Sequence, residues 1–163
     1  MKKRVFVDMD GTLAVWNAEA KMDEVASTGY MLNRPAMENM VAAIRQLTQS
    51  KDYEVCILSA VFHEAAAHEK KQWLNIYLPE IKPENMFFCN YGENKSEFVS
   101  ATDNDVLIDD FSENLHKWKG IGIKVYNGIN GTNGSWTGYS VHSNCESRKL
   151  HAMLNAIIRL EVQ

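Results

Sequence analysis

The sequence predicts an α/β fold, a Rossmann-like three-layer sandwich built on one mainly parallel sheet of five strands. Three observations predict it. Short β-branched or aromatic runs alternate along the chain with stretches of helical periodicity, the pattern of repeated β-α units. At 163 residues the chain is long enough to bury one hydrophobic core without disulfides. Its 45% hydrophobic and 23% charged fractions are those of an ordinary globular protein, not of a disordered or membrane-embedded one.

The strand candidates are residues 4–8, 53–58, 86–89, 106–109 and 121–126, each brief, apolar and ended by polar or small residues. Between the first two, Pro35 suits a first helical turn, and Met37, Met40, Val41, Ile44 and Leu47 then recur at helical spacing, which predicts a helix over residues 36–49. A second helix is predicted over residues 63–78, with Ala66, Trp73, Leu74 and Tyr77 on one face and Pro79 as its stop. Short helices follow at residues 95–101 and from a Ser112 cap to residue 119. Leu150, Met153, Leu154, Ile157 and Ile158 mark a C-terminal amphipathic helix. The stretch 127–138 is rich in glycine and asparagine and predicts a loop over the carboxyl edge of the sheet. Residues 14–34 are too many for a simple β-to-α loop, and Ala20, Met22 and Val25 allow only a short helix. They predict a minimal cap inserted into a single domain spanning residues 1–163, since no repeat or linker divides the chain.

Charge and cysteine content narrow the function classes. Seventeen basic against 21 acidic residues give a net charge of −4, with no extended basic stripe, so extended nucleic-acid binding is not expected. Cys56, Cys89 and Cys145 are odd in number and lack metal-type spacing, which predicts reduced, inert thiols. Val5-Phe6-Val7 before an acid falls far short of a secretory segment, and no membrane-length apolar run follows, so a cytoplasmic location is expected.

In an open α/β sheet, ligands gather at the carboxyl ends of the strands, so polar residues that follow apolar strand runs are the candidates for chemistry. Asp8 and Asp10 follow Val5-Phe6-Val7, Ser59 and Ala60 follow Val55-Cys56-Ile57-Leu58, Lys95 comes after Phe87-Phe88-Cys89, and Asp109-Asp110 follow Val106-Leu107-Ile108. Residues two apart on an extended chain face the same side, so Asp8 and Asp10 can share one small volume while Gly11 permits a tight turn. Converging carboxylates repel unless a hard cation joins them, and oxygen ligands without His or Cys suit Mg²⁺. A phosphate monoester brought to that cation can be attacked by the Asp8 carboxylate, with Asp10 giving and taking the protons. Lys95 would balance the phosphoryl charge, and the Ser59 hydroxyl with neighbouring N–H groups would hold its oxygens.

Each feature alone has a plainer reading. Asp-x-Asp-Gly is often a turn with solvated acids or a calcium-type loop, Ser59 alone reads as a helix cap, and Lys95 alone reads as surface. Trp16, Tyr30, Trp136 and Tyr139 are candidates to stack on a nucleobase, although none sits in a motif. His63 is placed to touch substrate or to cap the helix after it.

Taken in order, the motifs resemble those of the haloacid dehalogenase (HAD) superfamily. Asp8-Met9-Asp10-Gly11-Thr12 is similar to its first motif, Ile57-Leu58-Ser59 to its second, Lys95 to its third, and Leu107-Ile108-Asp109-Asp110 to its fourth. The resemblance implies that Asp8 is nucleophile and metal ligand. It makes Asp10 a general acid/base that holds the metal through its main-chain carbonyl, and Asp109 the remaining Mg²⁺ ligand, with Asp110 in support. The runs from Asp109 to Asn114 and from Asn94 to Val99 look most like the 5′(3′)-deoxyribonucleotidase branch, which implies nucleoside monophosphate substrates. The cap is the departure. Asp8 and Ser59 are 51 positions apart and the interval also holds a helix, so little chain remains for a specificity domain. A cap this small leaves space for a partner subunit over the pocket in a homo-oligomer.

Three other readings compete. The first is a phosphatase of another small phosphate ester or of nucleic-acid 3′-phosphate ends. The second is a non-catalytic phosphate-binding or interaction protein on the same fold. The third, a signalling receiver, has no Asp-x-Asp at its first strand, so motif order argues against it.

Overall fold

The computed structural model describes residues 2–129 and 135–160. Its strands are β1 (Lys3–Val7), β2 (Tyr53–Val61), β3 (Met86–Asn90), β4 (Val106–Asp109), β5 (Ile121–Tyr126) and β6 (Tyr139–His142). They form one sheet in the order β3-β2-β1-β4-β5-β6, with every neighbouring pair parallel. This is the doubly wound α/β arrangement that the alternating pattern predicts, with six strands in place of five. The sixth strand was hidden because Tyr139-Ser140-Val141-His142 is short and polar and buries only Val141 fully. It pairs from Ile123↔Tyr139 to Tyr126↔His142 on the outer edge of β5.

The helices are α1 (Met22–Val25), α2 (Glu38–Leu47), α3 (Glu64–Tyr77), α4 (Lys95–Phe98), α5 (Ser112–Lys117) and α6 (Ser147–Ile158). Side chains alternate across a strand, and the core divides accordingly. Val5, Val7, Ile57, Ile108 and Ile123 face a layer that includes Met40, Ile44, Trp73, Leu74, Leu150 and Leu154 from α2, α3 and α6. Phe6, Cys56, Leu58 and Leu107 face Val99, Leu115 and Trp118, around α4 and α5, on the other side. Burial pushes the Cys56 thiol up to about 12 and raises that of Cys89, which keeps both protonated, and all three cysteines are free.

Two helix starts differ from the sequence reading. Pro35 lies ahead of α2, whose N-cap is Met37, because the Pro35 carbonyl accepts from Val15 N–H at 2.8 Å while Met37 N–H donates to Leu13 at 2.7 Å. Ser112 does not cap α5. It is the helix's first residue, and its hydroxyl accepts from Lys124 Nζ at 2.8 Å.

The bonds between 13–15 and 35–37 close a stem, so residues 14–34 leave and return at one point. α3 holds the excursion down. Glu69 accepts from the Gly29 N–H, Trp73 Nε1 donates to the Arg34 carbonyl at 2.8 Å, and His63 Nε2 lies 2.6 Å from the Ala26 carbonyl. His63 also caps α3 by accepting from Ala66 N–H through Nδ1. At the opposite end of the sheet, Arg4 makes a forked contact with Asp105, with Nη2 to Oδ2 at 2.6 Å, and ties β1 to the start of β4.

Candidate active site

β1 sits at the centre of the sheet, and the strand order reverses between it and β4. Such a switch point opens a crevice at the carboxyl ends of the two strands. Asp8 follows the last residue of β1 and Asp109 is the last residue of β4, so both sequence-predicted acids arrive in that crevice from adjacent strands. The Asp8 N–H extends the ladder by donating to the Ile108 carbonyl at 2.9 Å, which fixes where its side chain starts.

Asp8, Asp109 and Asp110 are all buried, and one carboxylate oxygen from each lies within 4.8 Å of the other two. Lys95, the first residue of α4, sits between two of them, with Nζ 2.7 Å from Asp8 Oδ1 and 2.7 Å from Asp109 Oδ2. Asn94 starts that helix by accepting from Ser96 N–H, which sets Lys95 at its first turn. Asp109 is held further by the Phe111 N–H on Oδ1 and by Asn114 Nδ2 on Oδ2. These acids form the floor of a cavity of about 450 Å³ whose wall includes Asp10, Ala60 and Lys95.

The electrostatics follow from this packing. Burial, with Asp109 and Asp10 nearby, pushes the Asp8 carboxyl up to about 7 despite Lys95 and Lys70. Lys95 is held above the ordinary lysine value: burial works against its charge, and Asp109 and Asp8 overcome it. Asp8 and Asp109 share the Lys95 ammonium and Asp110 brings a third carboxylate beside them, a concentration of negative charge that a divalent cation would offset. The donors are all oxygens, so the residues present fit a hard cation such as Mg²⁺.

Asp10 turns away from this cluster. Its Oδ2 accepts from Lys70 Nζ at 2.7 Å, and Lys70, only 2% exposed, spends its other two donors on Ser59 Oγ and the Ala60 carbonyl, each at 2.7 Å. Ser59 therefore lies within β2 and under the cavity wall, its hydroxyl already engaged, while Ala60 lines the cavity itself. Lys70 is the residue sequence reasoning missed. It shares the helical phase of Ala66, Trp73 and Leu74, and a lysine on a core-facing stripe was the available signal.

A second buried lysine, Lys124 on β5, donates to the Asp110 carbonyl at 2.6 Å and supports the turn into α5 from below; burial lowers its pKa against the pull of Asp110 and Asp109. Gly11 explains the glycine of the first motif. Its φ is +76°, and a Cβ there would stand 2.2 Å from Asp110 Oδ2. Gly11→Ala is thus expected to lose about 2 kcal/mol or more from the left-handed backbone and the clash together, roughly 4–8 °C in Tm for a chain of this size, and to weaken divalent-metal binding by displacing Asp110. Thermal melts with and without Mg²⁺ check both effects.

Of the four aromatic candidates for base stacking, Trp16 lines the cavity. Tyr30 packs with Arg34, while Trp136 donates to the Tyr139 carbonyl and lies against Gly122 and Gly138, away from the acids. The loop predicted over residues 127–138 begins at the carboxyl edge, where Asn127 Nδ2 donates to the Gly11 carbonyl at 2.9 Å. Residues 130–134 of that loop lie outside the described residues.

Among the described residues no helix is long and apolar enough to cross a membrane. A search of curated protein sequences finds no match. The family model described as "5′ nucleotidase, deoxy (Pyrimidine), cytosolic type C protein" matches residues 17–151. That span starts after Asp8 and Asp10, so the match and the first motif are separate signals, and it takes in Lys70, Lys95, Asp109 and Asp110. The chain belongs to this family, the 5′(3′)-deoxyribonucleotidase branch of the HAD superfamily, and is a nucleotidase-like phosphatase, a phosphoric monoester hydrolase.

Proposed function

We propose that the chain is a Mg²⁺-dependent phosphatase of nucleoside monophosphates that works through an aspartyl-phosphate on Asp8. The observation that carries the reading is the meeting of three buried carboxylates, two of them bound to one lysine, on the floor of an open cavity. Asp8, Asp109 and the main-chain carbonyl of Asp10 are the proposed metal ligands, with Asp110 in support and Gly11 making room for it. Mg²⁺ bound there supplies the positive charge that lets an anionic phosphoryl group approach an anionic carboxylate.

An Asp8 oxygen forms a bond to phosphorus as the bond to the leaving oxygen breaks. Lys70 occupies Asp10 Oδ2, which leaves Oδ1 to pass a proton to the departing alkoxide. Asp10 then takes a proton from the water that attacks phosphorus, and phosphate and free Asp8 result. Lys95 offsets charge on the transferring group, and the backbone at Ala60 holds its oxygens. Ser59 acts through Lys70, as a brace for Asp10. Residues 14–34 serve as a reduced cap on a single domain, and the cytosol is the compartment that the family description favours.

The test is a screen of phosphate monoesters that includes deoxyribonucleotides, ribonucleotides, sugar phosphates and 3′-phosphorylated oligonucleotides. The expected result is phosphate release that is fastest from nucleoside monophosphates, lost in EDTA and restored by Mg²⁺. Mg²⁺ is also expected to stabilise the resting protein, since the acids assemble only in the folded state, by about 2.7 kcal/mol at one hundred times its Kd, read as a rise in Tm. Equal and feeble release from every ester would reject the nucleotidase reading, and release indifferent to EDTA would reject the metal.

A further inference from the structure

The roof of the cavity differs from its floor. Phe62 follows the last residue of β2 and Tyr91 the last of β3, and the Val61↔Asn90 register sets them side by side. The Tyr91 N–H donates to the Val61 carbonyl at 2.9 Å, so this pair of strands continues one step beyond its ladder before Gly92, at φ +84°, turns the chain away. The two rings stack with centroids 4.4 Å apart and 26° between their planes. Both line the cavity that contains Asp8 and Lys95, yet they remain 38% and 63% exposed. Rings already stacked and held by a paired backbone lose little freedom when a flat ligand covers them. The charged groups at the mouth are Glu93, Glu113 and Lys117, and Lys117 is already paired with Glu113 at 2.7 Å. Among the described residues, therefore, no unpaired cation waits at the mouth for a second phosphate.

We propose that Phe62 and Tyr91 form a stacking platform for the leaving group, so that the core sheet, and not the short segment 14–34, selects monophosphates bearing a planar ring. This rests on the phosphatase reading above. Sugar phosphates lack a flat aromatic face and are turned over poorly, and a ring carrying a further phosphate meets acids at the mouth. Stacking of a base on an aromatic side chain sets the expected loss at on the order of 10- to 100-fold in KM.

The experiment compares a deoxyribonucleoside monophosphate with glycerol phosphate in the full chain and in Phe62→Ala, Tyr91→Ala and Tyr91→Phe. Both alanine variants should raise KM for the nucleotide at least tenfold more than for glycerol phosphate, with kcat changing much less. Tyr91→Phe should retain the nucleotide KM. The unphosphorylated deoxyribonucleoside should inhibit the wild type competitively and lose that inhibition in the alanine variants. Equal KM changes for both esters would overturn the platform, as would a Tyr91→Phe loss matching that of Tyr91→Ala. A change of oligomeric state in the alanine variants on sedimentation would assign the rings to a second copy of the chain instead. Mg²⁺-dependent hydrolysis with no preference for ringed leaving groups removes the platform and the nucleotide preference but leaves the phosphatase reading, whereas no Mg²⁺-dependent hydrolysis of any ester removes the phosphatase reading and the platform with it.

Discussion

Asp8→Asn is expected to lower phosphate release by about four orders of magnitude or more, the scale seen when a covalent nucleophile is removed from a site that otherwise stays intact. Asparagine keeps an oxygen for Lys95, so the fold has no reason to collapse. It removes one charge from a buried group of three acids, two of which share Lys95, and the metal-free variant should be as stable as the wild type or more so. Loss of activity with retained or increased Tm separates a chemical role from a structural one. Beryllium fluoride, which mimics a phosphoryl group on a carboxylate, should inhibit and stabilise the wild type and leave Asp8→Asn unaffected. Stabilisation of the variant by the same ligand would place the nucleophile elsewhere.

Asp10→Asn should be the next most damaging change, by about 10²- to 10⁴-fold on a nucleoside monophosphate, since a positioned acid/base contributes on that scale. Its effect should depend on the leaving group. An aryl phosphate whose phenolate departs without help needs no proton in the first step, so that step survives while attack by water does not. The expected record is a burst of about one phenolate per chain followed by slow turnover, the sign of an accumulated covalent intermediate. A uniformly slow release without a burst would mean that Asp10 acts before the covalent step. The amide oxygen of this variant can still accept from Lys70, so the brace to Ser59 and Ala60 is retained in the comparison.

The acids of the crevice were legible in the sequence because each follows an apolar strand run. An acid directly after Val5-Phe6-Val7 or Val106-Leu107-Ile108 must end a buried strand at the sheet's edge, and two such ends on neighbouring strands meet. Lys95 was legible only through its place in the motif order, since nothing in Asn94-Lys95-Ser96 says that the amine is buried. Lys70 went unread because Glu69-Lys70-Lys71 looks like a solvated charge run, although Lys70 falls in the helical phase of Ala66, Trp73 and Leu74. Phe62 and Tyr91 were invisible as a pair, because their contact depends on the register between β2 and β3. The strand at Tyr139–His142 was missed for a related reason: four residues with one buried side chain carry little pattern, and β5 supplies the pairing.

The central place of β1 bears on how the chain reaches this state. A chain that folds from its N-terminus has β1, β2 and β3 available long before β4, and in that interval β1 is an open edge. Val5, Phe6 and Val7 are each fully buried in the finished sheet, and on the open edge they offer an apolar, unpaired ladder to any other chain nearby. The acids that end β1 and β4 cannot guard that edge along its length, because they stand only at its carboxyl end. At its other end Lys3 and Arg4 carry their charges directly beside the exposed run. They are tied to the end of α6 and to Asp105 only once those later segments have arrived, and until then they occupy the place where gatekeepers against mispairing belong.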